Sequence, residues 1–154
     1  MNEIEELRYL VLAAQREGNR MLTQRLRPLG LTASQAEVLR VLQDHQPLSL
    51  IELGGLLVCE TGSPSRLVGG LVEAGLVERT LSEADKRMIT LSLTREGEQT
   101  ASEVAEVEAA LYRTITEALN SEEISGVLAA LRRLVAGRPA GEALSRRSRL
   151  SRLP

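Results

Sequence analysis

The sequence predicts a mainly α fold with a small β-hairpin wing, and three observations carry that reading. Between Leu50 and Leu93, two short helical patterns lead to Gly75 and then to two strand-like runs split by a charged loop. Long stripes of apolar residues stepping by three and four flank this stretch on both sides. Aromatic residues make up 1% of the chain, with no Phe and no Trp, so a core must come from Leu, Val, Ile and Ala, which suits close helix-on-helix packing. Helix, turn, helix and hairpin is the plan of a winged helix-turn-helix. The expected organisation is a winged helix-turn-helix lobe over 31–94 and a helical dimerisation domain formed by 1–30 and 95–137. A basic C-terminal tail covers 138–154.

The elements follow in order. Over 4–27, Ile4, Leu7, Val11, Ala14, Gly18 and Met21 form a heptad-like stripe that Leu10, Leu22 and Leu26 widen. A lone helix cannot bury so wide a face and needs other helices, from its own chain or a second one. Pro28 and Gly30 end it. Thr32 with Gln35 three residues on has capping-box spacing, opening a helix that turns Ala36, Leu39 and Leu42 inward and ends near Asp44 and His45. Ser49 is placed to cap a third helix with Ile51, Leu53, Leu56 and Leu57 inward. Residues 59–62 form the turn.

Ser63-Pro64 is a helix start, since Ser caps and Pro fits the first turn. The fourth helix buries Leu67, Val68, Leu71 and Val72 and presents Ser63, Ser65, Arg66, Gly69, Gly70 and Glu73 outward. Gly75 stands where a left-handed C-cap is wanted. Leu76–Leu81 is a strand, residues 82–87 a loop, and Ile89, Leu91 and Leu93 alternate with Thr90 and Ser92 as the return strand. Thr94 caps a long helix over about 95–119 whose stripe has a polar member at Glu108. Asn120 and Glu123 open the next helix, with Ile124, Val127, Leu128, Leu131, Leu134 and Val135 on its apolar face.

Charge and composition exclude several functions. The net charge of −2 is not the strongly basic signature of a non-specific nucleic-acid binder, and two tyrosines cannot build a stacking platform for single strands. Lone Cys59 permits no disulfide within the chain and is expected to pack as a small hydrophobe. No long uncharged apolar run occurs and MNEIEEL is acidic, which argues against a signal peptide or membrane span and for a cytoplasmic protein. No Ser/His/Asp group and no metal-ligand cluster is visible, so the reading has no enzyme activity, no cofactor and no metal. The tail carries five arginines against Glu142, so it holds +4 and the preceding residues −6 of the net −2. It is expected to dock on that acidic body, across a dimer interface, with a short helix near 142–150.

Motifs within this plan resemble the MarR family of bacterial transcription regulators. They are Leu31-Thr32-x-x-Gln35, Ser63-x-Ser65-Arg66-Leu67-Val68, Leu71-x-x-x-Gly75-Leu76-Val77-x-Arg79, Asp85-Lys86-Arg87 and Leu93-Thr94-x-x-Gly97. They span 31–97, and the flanking helices extend the likeness to about 137. The tail has no counterpart in the pattern. The resemblance implies a homodimer whose first, fifth and sixth helices form the interface. It implies two winged lobes that read an inverted repeat in double-stranded DNA, with half-sites about one helical turn apart. It also implies a small-molecule effector bound between the dimer helices and the lobe, with Tyr9, Arg16 and Tyr112 as nearby polar-tipped groups.

Residue by residue, Arg66 is the expected base or phosphate reader, against a salt bridge to Asp85 or Glu73. Ser63 and Ser65 offer hydroxyls and helix N-terminal N–H groups to DNA, beside a capping role. Arg87 matches the family's wing arginine, which enters the minor groove, and Lys86 a phosphate contact. Asp85 is read as orienting an arginine and Arg79 as bracing the wing. Two features depart from the pattern. Gly69-Gly70 replaces an acid and an arginine common in relatives, and residues 48–94 hold four basic against six acidic residues. They motivate an alternative, a winged-helix dimer with weak or lost DNA binding that serves as a protein-interaction module.

Overall fold

The computed structural model describes residues 1–59 and 63–151. The expected turn at 60–62 and Arg152 in the tail lie outside the described residues. Helix α1 spans Glu3–Leu26 and a short 3-10 turn, Arg27–Leu29, follows it to Gly30. Next come α2 (Ala33–His45), α3 (Leu50–Gly54) and α4 (Pro64–Glu73), and then the strands β1 (Val77–Leu81) and β2 (Ile89–Leu93). The chain continues through α5 (Arg95–Ala118), α6 (Ser121–Val135) and α7 (Pro139–Leu150).

Local chemistry sets most of the boundaries. Thr32 and Gln35 form a reciprocal capping box at α2, as do Ser49 and Glu52 at α3 and Asn120 and Glu123 at α6; each box satisfies two backbone donors that a helix start leaves unpaired. Thr94 caps α5 by accepting from the Gly97 N–H, while its own hydroxyl donates to the Gly75 carbonyl. Gly75 takes φ +73° between α4 and β1, a left-handed turn that favours glycine. The wing strands pair antiparallel from Val77–Leu93 to Leu81–Ile89, and Leu48 adds a bridge to Leu91 on the other edge of β2.

One core joins these elements. Leu39 and Leu42 of α2, Leu53 of α3, Val68 and Leu71 of α4, and Val77 and Leu91 of the hairpin lie within it. Leu26 at the end of α1 and Ala101 and Val104 in the first half of α5 also enter it, so it reaches past both edges of the 31–94 segment. Gly97 makes that junction possible, because a Cβ there would stand 1.9 Å from the Leu76 carbonyl oxygen. Leu22 of α1 packs partly against this core, but the rest of α1 and all of α6 contribute no fully buried residue to the single chain.

Two expectations about packing are corrected. Ile51 was assigned inward but is 88% exposed. Residues two apart on a helix point to nearly opposite sides, so once Leu53 turns inward Ile51 faces out. Because α3 stops at Gly54, Leu56 and Leu57 reach the core from the turn beyond it. Cys59 is exposed and does not pack as a core hydrophobe; its backbone is held by hydrogen bonds while the side chain stays at the surface. The tail helix docks on its own chain, where Arg147 pairs with Glu37 of α2 and Arg146 reaches the Gly55 carbonyl just past α3.

Candidate DNA interface

The second helix of the helix-turn-helix, α4, starts at the surface. Ser63 occupies the N-cap position but makes no capping hydrogen bond with its side chain, contrary to expectation. The Ser63 carbonyl accepts instead from the Arg66 and Leu67 N–H groups, at 3.0 and 3.2 Å. Val68 and Leu71 anchor the opposite face in the core, leaving Ser63, Ser65 and Arg66 exposed together on the first turn. Arg66 makes no ion pair with Glu73 or Asp85. Gly69 has open space where a Cβ would stand, and one on Gly70 would make ordinary contact with Gln35. Neither glycine is demanded by packing.

The wing is built by short-range hydrogen bonds. The Ser82 N–H donates to the Met88 carbonyl and the Met88 N–H to the Asp85 carbonyl, at 2.8 and 2.9 Å. Asp85 Oδ1 accepts from the Arg87 backbone N–H at 3.0 Å. Asp85 thus holds Arg87 through its main chain, and the guanidinium makes no ion pair among the described residues. Lys86 and Arg87 are both exposed at the tip. Arg79, expected to brace the wing, stands exposed opposite Leu91, and its side chain makes no hydrogen bond or ion pair among the described residues. The Thr80 and Thr90 hydroxyls meet across the strands at 3.2 Å instead.

The three residues suggested for an effector are not brought together in one chain. Tyr112 lines a cleft of about 580 Å³ with Asp44, His45, Leu144, Arg147, Ser148 and Ser151. Partial burial and the neighbouring Glu108 carboxylate push its phenol pKa up. Tyr9 and Arg16 are exposed on α1, away from that lining, and Tyr9 stacks under the Arg8 guanidinium at 4.8 Å.

Two polar pairings escaped the sequence reading. Glu108, the polar member of the α5 stripe, pairs with Arg40 of α2 at 3.0 Å. Glu37 is buried on α2, and both its oxygens are in use. Oε1 accepts from the Val58 N–H and from Arg147, each at 2.9 Å, and Oε2 from the Cys59 N–H at 2.7 Å. Partial desolvation and the Glu37 carboxylate raise the Cys59 thiol pKa, which disfavours the reactive thiolate.

A helix with an exposed polar and cationic first turn, held over a core and accompanied by a two-stranded wing with Lys86 and Arg87 at its tip, defines a winged helix DNA-binding protein. A family profile for the winged helix DNA-binding domain matches residues 31–97. The multiple antibiotic resistance protein MarR of Escherichia coli is 30% identical over 125 residues, covering 80% of this chain and 87% of the relative. A crystal structure of a mutant of that MarR complexed with operator DNA superimposes with a TM-score of 0.75 at 28% identity, covering 87% of this chain and 96% of the other. The Staphylococcus aureus MepR–DNA complex shares the fold, with a TM-score of 0.76 at 22% identity over 83% of this chain and 95% of that one. The chain belongs to the MarR family of DNA-binding transcription regulators.

Proposed function

We propose that this protein is a homodimeric, effector-responsive repressor that binds a pseudo-palindromic operator through Ser63, Ser65, Arg66, Lys86 and Arg87. The observation that carries the reading is the pairing of unengaged cations. Arg66 lies on the first turn of α4 and Lys86 and Arg87 on the wing, all exposed and none in an ion pair among the described residues. Arg66 would read a guanine edge or its phosphate in the major groove and Arg87 the adjacent minor groove. The apolar faces of α1 and α6 support the dimer. Ile4, Leu7, Leu10, Val127, Leu128, Leu131 and Leu134 are each exposed in one chain, and a stripe of that size calls for a covering surface. The 1–30 and 95–137 segments would supply that surface and 31–94 the reading lobe. The cleft at Tyr112 is the place in one chain for an effector, and the setting is cytoplasmic.

Selection of bound fragments from the source genome, followed by titration of the recovered duplex, tests the assignment. Arg66→Ala is expected to cost about 1–3 kcal/mol of binding if it reads a base. Arg87→Ala should weaken binding most where the flanking sequence is A·T-rich. If neither change weakens binding, the assigned reading edge is wrong and the protein-interaction alternative gains.

A further inference from the structure

The terminal helix α7 reaches the reading lobe through two arginines. Arg147 donates to Glu37 Oε1 at 2.9 Å, and Arg146 lies 3.4 Å from the Gly55 carbonyl oxygen. Glu37 in turn holds the Val58 and Cys59 N–H groups, and the Ser34 hydroxyl donates to the Cys59 carbonyl at 3.0 Å. The segment so fixed, Gly55–Cys59, is the stretch of chain that leads toward Ser63 and the first turn of α4. Glu37 is 8% exposed and Arg147 29%, so the pair sits where water screens it poorly. Packing dictates the course of α7 as well. Gly137 takes φ +70°, and a Cβ on Gly141 would stand 2.1 Å from the Val135 carbonyl oxygen, so α7 lies hard against the end of α6.

We propose that Arg147 is a positioning residue for DNA reading. Acting through Glu37, it fixes the segment that delivers the recognition helix, and it ties that segment to α6. The proposal rests on the DNA-binding reading above. It concerns a helix outside the 31–97 domain match. A carboxylate with three hydrogen bonds loses its charged donor when Arg147 goes, and a half-paired buried charge then has reason to shift toward water. Val58 and Cys59 shift with it, and the first turn of α4 no longer meets the groove in a fixed register.

The experiment titrates a fluorescent duplex, selected by the wild-type protein from genomic fragments, at several salt concentrations. Amide hydrogen exchange is measured at Val58 and Cys59 in the same proteins. Arg147→Ala is expected to weaken specific binding about tenfold, which is about 1.4 kcal/mol, with an unchanged salt slope and faster exchange at both amides. Arg147→Lys should recover part of the loss. Glu37→Gln combined with Arg147→Ala should cost much less than the sum of the two single changes. Gly141→Ala should copy the Arg147→Ala effects without removing a charge. A salt slope reduced by about 0.9 would mean that Arg147 touches a phosphate directly, and the proposal is then wrong. Unchanged affinity in Arg147→Ala also overturns it, whatever the exchange rates. A wild-type protein that selects no duplex sinks the DNA-binding reading and this role with it. Exchange at Val58 and Cys59 would still record separately whether Arg147 braces the segment.

Discussion

The lobe and the outer helices solve the same problem in opposite ways. Both are rich in leucine and short of aromatics. In the lobe, Leu39, Leu42, Leu53 and Leu71 are fully buried within a single chain. On α6, Val127, Leu128, Leu131 and Leu134 remain 38–55% exposed. The lobe therefore folds on itself, whereas α6 and most of α1 hold an apolar stripe that the single chain leaves exposed. The same substitution in the two regions should have different consequences.

Leu71→Ala should have the largest effect. It removes a side chain with no solvent exposure, and such deletions cost about 2–5 kcal/mol. Thermal unfolding should show a large drop in Tm, with the drop the same at every protein concentration. Leu131→Ala comes next. It should weaken self-association, by about 1–2 kcal/mol for a partly covered leucine, and leave the lobe's own stability nearly untouched. Sedimentation over a range of concentrations reads the first quantity, and amide exchange in α2 the second. A Leu131→Ala protein that stays fully dimeric while its lobe loosens would break the contrast, because α6 would then be part of the lobe's core.

The contrast also explains what could be read in the sequence. Devices that act over three or four residues were legible. The Thr32–Gln35 box, the Ser49, Thr94 and Asn120 caps and the Gly75 turn all stand where spacing placed them. The wing was legible from its alternation, and the exposed first turn of α4 from the Ser63-Pro64 start. Pairings between distant residues were not. Glu37 meets Val58 at a separation of 21 residues and Arg147 at 110, and Arg40 meets Glu108 at 68. Nothing in local periodicity distinguishes Glu37 from a solvated glutamate. Ile51 was misplaced because its helix is five residues long, too short for a periodic pattern to define a face. The tail's charge announced that it would dock, but its site depended on where Glu37 ended up.

The smallest effect sharpens the comparison at the hinge between local and long-range control, the start of α3. The Ser49 N–H donates to Glu52 Oε2 at 2.8 Å, and the Ser49 hydroxyl accepts from the Glu52 N–H at 3.3 Å. The bond from the Ser49 N–H to the carboxylate, and to a smaller extent the Ser49 hydroxyl beside it, lower the Glu52 carboxyl pKa from its ordinary value. The folded-state pKa therefore lies below the unfolded one, and the folded state binds its proton more weakly. The stabilisation is complete above the unfolded-state pKa and is lost as the pH falls through the folded-state pKa. Ser49→Ala should cost about 1 kcal/mol near neutral pH, by loss of the hydroxyl cap; the backbone N–H bond to Glu52 stays in the variant, so the cost should shrink in acid only by the smaller share that the hydroxyl contributes to holding the carboxylate. Because Glu52 is exposed, the pH-dependent part should be small and weakened by salt. Urea denaturation of both proteins at neutral pH and below the ordinary carboxylate range measures it. A gap that widens in acid would have the wrong sign. It would mean that the Ser49 hydroxyl matters to α3 for a reason other than the box, such as a contact with the segment that Glu37 holds.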